Sequence, residues 1–130
     1  MATDPLARVR AVCSGLPEAA ERLSHGAPTF FVGSGRSFVM YWDDHHGDGR
    51  LALWCAAPAG AQEALVATDP ERYFRPPYVG HRGWVGVRID GRPDWTEVAE
   101  VVLEAYRTVA PARLVARLDA GAGPTGRRPG

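Results

Sequence analysis

From residue 29 the apolar side chains of this chain recur at every second position. Thr29–Val32, Ser37–Trp42 and Arg50–Cys55 each carry the pattern. Gly33-Ser34-Gly35 separates the first two runs, and Asp43-Asp44-His45-His46-Gly47-Asp48-Gly49 separates the second and third. A period of two fits a pleated strand, whose successive side chains point to opposite faces, and fits no helix. Glycine supplies the positive φ that tight hairpins need. The three runs therefore read as a meander, with Phe38, Met40 and Trp42 sharing one face of its middle strand and Leu51, Leu53 and Cys55 pointing inward. A fourth run, Gly83–Ile89, sets Val85, Val87 and Ile89 on one face and Trp84, Gly86 and Arg88 on the other.

Helical periods flank these strands. Asp4-Pro5 opens a first helix with Leu6, Val9 and Cys13 on one face, and Gly15 ends it. Pro17-Glu18 restarts a short helical turn to about Arg22, and residues 23–28 are extended. Residues 58–68 form an Ala-rich helix with Ala61 and Leu65 inward. Asp69-Pro70 begins a turn or brief helical segment ending at Phe74, and Arg75-Pro76-Pro77-Tyr78 is non-helical. Asp94, with Glu97 three residues on, caps the longest helix, whose stripe is Trp95, Val98, Val102, Ala105, Tyr106 and Val109. Pro111 opens a last helix bearing Leu114, Val115 and Leu118. The expected fold is α+β: a single antiparallel sheet of about four to five strands, helices on one face and a helical C-terminus. Residues 1–118 form a single domain, and residues 119–130 a disordered tail.

Composition bounds the function. The 130 residues suit one domain, and 45% apolar content suffices for a core. Fifteen basic residues balance fifteen acidic ones, so the surface as a whole is no trap for nucleic acid. All fifteen are arginine, so an arginine at any one site is a weaker marker of phosphate geometry than usual. No apolar window is long enough to span a membrane, and the charged N-terminus leaves no room for a signal peptide, so the expected location is cytoplasmic. Cys13 and Cys55 read as small buried hydrophobes in a reducing compartment.

Two regions carry candidate chemistry. On the sheet face away from the helices, Trp54 and Trp84 form an expected exposed pair beside Arg88, able to stack a base or another planar ligand. Residues 72–84 interleave Arg72, Arg75 and Arg82 with Tyr78, His81 and Trp84 in a segment stiffened by Pro76-Pro77, an anion-binding edge that Arg36 could join. His25 reads as a buried, hydrogen-bonded histidine near a turn. His45 and His46 among Asp43, Asp44 and Asp48 are metal-ligand types, but adjacent ligands in one hairpin make a weak site, and neither a metal nor another cofactor is expected. No nucleophile elbow, phosphate loop, dinucleotide fingerprint or zinc-protease motif occurs, and no catalytic residue is assigned.

Several short motifs, in order, resemble the MmcQ/YjbR family: Leu16-Pro17-Glu18, Ser24-His25-Gly26-Ala27-Pro28-Thr29-Phe30, Asp69-Pro70 with Tyr73-Phe74, Pro77 through Arg88, and Ala110-Pro111 with Arg113-Leu114. The resemblance spans roughly residues 5–118. It implies a CyaY-like fold and DNA binding, and it brings no catalytic motif. The first functional expectation is a non-enzymatic DNA-binding protein that contacts phosphates through Arg36, Arg75, Arg82 and Arg88, with Trp84 or Trp54 stacking. The second is a binding or resistance protein for a planar aromatic small molecule, with its pocket at His25, Trp42, Tyr78, His81 and Trp84. The third is a protein-interaction adaptor. No membrane partner is expected, and the oligomeric state is left open.

Overall fold

The computed structural model describes residues 4–121. In chain order the elements are α1 (Pro5–Ser14), β1 (Ala19–Ser24), β2 (Ala27–Val32), β3 (Ser37–Asp43), β4 (Leu51–Cys55), α2 (Ala61–Thr68), β5 (Tyr73–Phe74), β6 (Val85–Arg88), α3 (Trp95–Val109) and α4 (Ala112–Gly121). The six strands make one antiparallel sheet in the order β1-β2-β3-β4-β6-β5. It is the α+β sheet expected from the alternation, with two more edge strands than the periodicity reveals.

β1 replaces the expected helical turn at Pro17–Arg22. Its residues Ala19–Leu23 have ordinary helix-forming composition, but they hydrogen-bond along β2, from Ala19 opposite Val32 to Ser24 opposite Ala27. A partner strand reached through a two-residue turn outweighs weak local propensity. β5 likewise replaces the expected end of a helical segment, because Tyr73 and Phe74 pair with Val87 and Gly86. α4 continues through residues 119–121, which corrects the expectation of disorder there; residues 122–130 lie outside the described residues.

The register sorts the faces. Val39, Cys55 and Val85 form one cross-sheet row, and Tyr41, Leu53 and Val87 another; both rows face the helices. Phe38 joins them, its ring edge-on to Tyr106 of α3 at 5.5 Å between centroids. Asp94 caps α3 as expected, accepting from the backbone N–H groups of Thr96 and Glu97. Cys13 and Cys55 are buried free thiols. Burial pushes the Cys13 thiol up to about 12 and the Cys55 thiol higher still, so neither is a nucleophile at neutral pH.

One expectation about β3 is corrected. Phe38, Met40 and Trp42 do not share a face. Phe30 pairs with Val39 but the next residue, Phe31, pairs with Ser37, so Phe38 is an extra residue opposite β2. Such a bulge breaks the period of two and re-aims the side chains beyond it. Phe38 and Val39 both serve the helix-side core. Met40 and Trp42 fall on the opposite face, in rows with Trp54 and Ala52. Gly86 belongs to that face as well, because a Cβ there would run into the Phe74 ring.

Candidate functional site

The bulge makes the outer sheet face aromatic. Met40 and Trp42 on β3, Trp54 on β4 and Trp84 just before β6 line a cleft of about 650 Å³. Three further segments wall it: Ser24 and His25 of the β1–β2 turn, residues 43–46 of the β3–β4 loop, and Tyr78, Val79 and Arg82. The indoles of Trp42 and Trp54 lie 5.1 Å apart, and the His45 ring sits against both, at 4.5 and 4.8 Å. Tyr78 stands edge-on to His45 at 5.9 Å, and the Arg82 guanidinium lies 5.4 Å from the Trp84 ring. Burial, and secondarily His46, lowers the pKa of His45 below its ordinary value, which favours a neutral imidazole.

The expected exposure of Trp54 and Trp84 is therefore corrected: they are 2% and 3% exposed. The loop that carries His45 folds back over Trp54. Trp84 is held by Gln62 of α2, whose side-chain amide donates to the carbonyls of Gly80 and Trp84 at 2.8 and 2.5 Å. Gln62 is the buried residue of α2, whereas the apolar pattern points to Ala61 and Leu65. A lone glutamine within an alanine-rich helix was the available signal. His25 is also corrected. It is exposed, and with Gly26 it forms a two-residue turn in which both residues have positive φ, 55° and 81°. That turn joins paired strands and needs no buried imidazole.

Backbone strain gathers at this cleft. Among the described residues five non-glycine residues have positive φ: Glu18, His25, Asp44, His46 and Tyr78. All but Glu18 line the cleft. Such conformations cost on the order of 1–3 kcal/mol each and persist where the surroundings enforce them. Tyr78 combines its φ of 64° with 71% exposure, leaving an aromatic ring at the cleft mouth.

The structure brings together His25, Trp42, Trp54, Tyr78, Arg82 and Trp84, and leaves Arg36, Arg75, His81 and Arg88 outside the cleft lining. The arginines do not act alike. Arg88 pairs with Asp90 at 2.8 Å, which holds the Asp90 carboxyl below the usual carboxylate range. Arg72 donates to the backbone carbonyls of Arg88 and Asp90, tying β5 to the end of β6. Arg36, Arg75 and Arg82 are exposed and, among the described residues, meet no acid within ion-pair distance. His45 and His46 serve the cleft as rings; among the described residues no group of three or more His, Cys, Asp or Glu is placed to hold a metal ion. No described helix is long and apolar enough to cross a membrane.

A second groove of about 670 Å³, between α1 and α3, is lined mainly by Ala7, Ala11, Val12, Trp95, Ala99 and Leu103. It is wider open and has few polar groups converging on it, so the outer-face cleft is the better formed site.

No curated protein matches the chain. Among solved structures, it is similar to the crystal structure of the Deinococcus radiodurans protein DR2400, a DUF419 domain. The match has a TM-score of 0.70 and 18% identity, covering 87% of this chain and 86% of that one. At that identity the likeness concerns the fold. The family model YjbR matches residues 14–108, which hold β1 through β6, every residue lining the cleft and nearly all of α3, and the chain belongs to the YjbR family.

Proposed function

We propose that this domain binds a small planar aromatic molecule in the outer-face cleft. The observation that carries the reading is the coincidence of strain and aromaticity. Four left-handed non-glycine residues and three tryptophans converge on one cavity of drug-like size, with polar groups at its rim. Trp42, Trp54 and Trp84 supply flat apolar walls, and Tyr78 supplies a ring at the mouth. Arg82 and the loop acids give orientation. Aromatic pairs of this kind are worth about 0.5–1.5 kcal/mol each beyond simple burial. A thermal-shift screen against planar aromatic compounds tests this, followed by titration of the intrinsic tryptophan fluorescence. The expected result is stabilisation by a subset of two- and three-ring compounds, with Tyr78→Ala weakening binding roughly fivefold to tenfold. A flat response across the panel would rule the reading out.

A second reading, DNA binding, is favoured by the exposed Arg36, Arg75 and Arg82, which have no acid partner among the described residues. An unpaired base at Tyr78 and a phosphate on Arg82 would use the same mouth, with Arg75 outside the cleft lining as a further phosphate contact. Fluorescence anisotropy with a single-stranded oligonucleotide measures it. Binding that falls steeply with salt supports it, and no binding at tens of micromolar in low salt excludes it.

A further inference from the structure

The cleft wall contains one buried hydrogen-bond donor with nothing to bond. The indole Nε1–H of Trp42 is enclosed and, among the described residues, meets no acceptor. Buried polar groups are normally paired, because an unmade hydrogen bond forfeits the solvation the group gave up. Indole nitrogens in cores usually find a partner. This one is covered but belongs to a residue that lines the cleft, so a ligand that displaces its cover can supply the missing bond.

The group that stands against this indole is displaceable. His45 packs edge-on to it at 4.5 Å, and among the described residues no hydrogen bond fixes the imidazole. The neighbours of His45, Asp44 and His46, are both held at positive φ, 59° and 50°. The His45 backbone is tied into its loop, its carbonyl accepting from the Asp48 N–H, but the imidazole is held by ring contacts, so rotation of the side chain leaves its place to another flat ring. On the β6 side of the cleft the Arg82 guanidinium offers further donors, with no acid partner within the described residues.

We infer that the ligand class is a planar aromatic ring bearing a hydrogen-bond acceptor, a ring carbonyl or carboxylate, which accepts from Trp42 Nε1–H after His45 moves aside. This rests on the aromatic-ligand reading and narrows it. A plain hydrocarbon of the same size would stack but leave the donor unpaired. A cationic aromatic without an acceptor would likewise leave the Trp42 donor unpaired, and it would meet Arg82 as well as Asp43 and Asp44.

Indole N–H resonances of the whole protein test it directly. The chain has four tryptophans, so four side-chain signals are expected in a nitrogen–proton correlation spectrum. Loss of one signal in Trp42→Phe assigns Trp42, and through-bond assignment of the wild type serves if that variant does not fold. Coumarin, which carries a ring carbonyl, is titrated against naphthalene, which has two rings and no acceptor. The expected result is roughly tenfold tighter binding of coumarin, the worth of about one hydrogen bond. The Trp42 N–H signal should move downfield with coumarin only, and Trp42→Phe should bring coumarin to the affinity of naphthalene. Equal binding with equal movement of the Trp42 signal overturns this inference and leaves aromatic binding standing. No movement of any cleft indole with either probe overturns the aromatic-binding reading together with this one.

Discussion

Both faces of the sheet carry buried apolar side chains, yet they behave differently. On the helix side, Val39, Leu53, Cys55, Val85 and Val87 are almost fully enclosed, and α3 seals them with Tyr106 and Val102. No strand residue has a positive φ, and none of the left-handed non-glycine residues packs on that side except Glu18, in the loop before β1. On the outer side, loops rather than helices cover the sheet. The cover is incomplete, and it holds left-handed residues, an unpartnered indole nitrogen and an exposed tyrosine. Close packing on the helix side serves stability; irregular cover over aromatic walls on the outer side is what the proposed ligand binding rests on.

Truncations on the two sides should separate these roles. Leu53→Ala opens a cavity on the sealed face and should cost about 3 kcal/mol, read as a fall in the urea midpoint, with cleft binding unchanged in the folded fraction. If Leu53→Ala lowers ligand affinity as much as stability, the two faces are not independent. Gln62→Met removes the side-chain donor from the Trp84 and Gly80 carbonyls, of which Gly80 keeps the Gly83 N–H, and should cost roughly 1–3 kcal/mol. It crosses the comparison, because Gln62 reaches from α2 to the cleft wall. Binding should therefore weaken as well, and titration of tryptophan fluorescence measures it.

Smaller effects sharpen the outer side. Tyr78→Gly removes an exposed ring from a left-handed position and should leave stability unchanged or raise it by up to ~1 kcal/mol, while weakening aromatic ligands. Thermal unfolding with and without ligand reads both. His25→Asn places the preferred residue in a two-residue turn with positive φ at both positions, and should stabilise by about 0.5 kcal/mol. The smallest effect concerns pH. Burial lowers the His45 pKa in the folded state below its ordinary value near 6.5, so the unfolded chain binds that proton more readily. The contribution of His45 to stability is thus lost as pH falls through about 6.5 toward the folded-state value, and it stays lost below it. The slope of urea midpoint against pH in that window should flatten in His45→Ala; an unchanged slope would remove His45 from the account.

Much of this was readable along the chain. The alternation at 37–42, 50–55 and 83–89 placed β3, β4 and β6, and Asp94 with Glu97 placed the start of α3, because period and capping are local physics. β1 was misread because Ala19–Leu23 have no strand signal of their own; pairing with β2 imposes it. The site was partly legible. Of the residues expected around one pocket, His25, Trp42, Tyr78 and Trp84 line a single cleft and His81 lies outside it. The exposure of Trp54 and Trp84 was misjudged, since a loop of polar residues gives no sign that it will fold back over them.

By itself, then, the sequence determined which segments pair as central strands, which helix is long and capped, and which residue types could recognise a flat ring. Tertiary structure decided which face each residue serves. The insertion of Phe38 as a bulge opposite β2 reverses the facing of everything after it in β3, and it puts Met40 and Trp42 beside Trp54 rather than against α3. A shift of one residue in pairing is invisible in a list of alternating side chains, because both registers satisfy the same period. Only the hydrogen bonds between strands, and the space left by the helices and loops that pack on them, choose between the two.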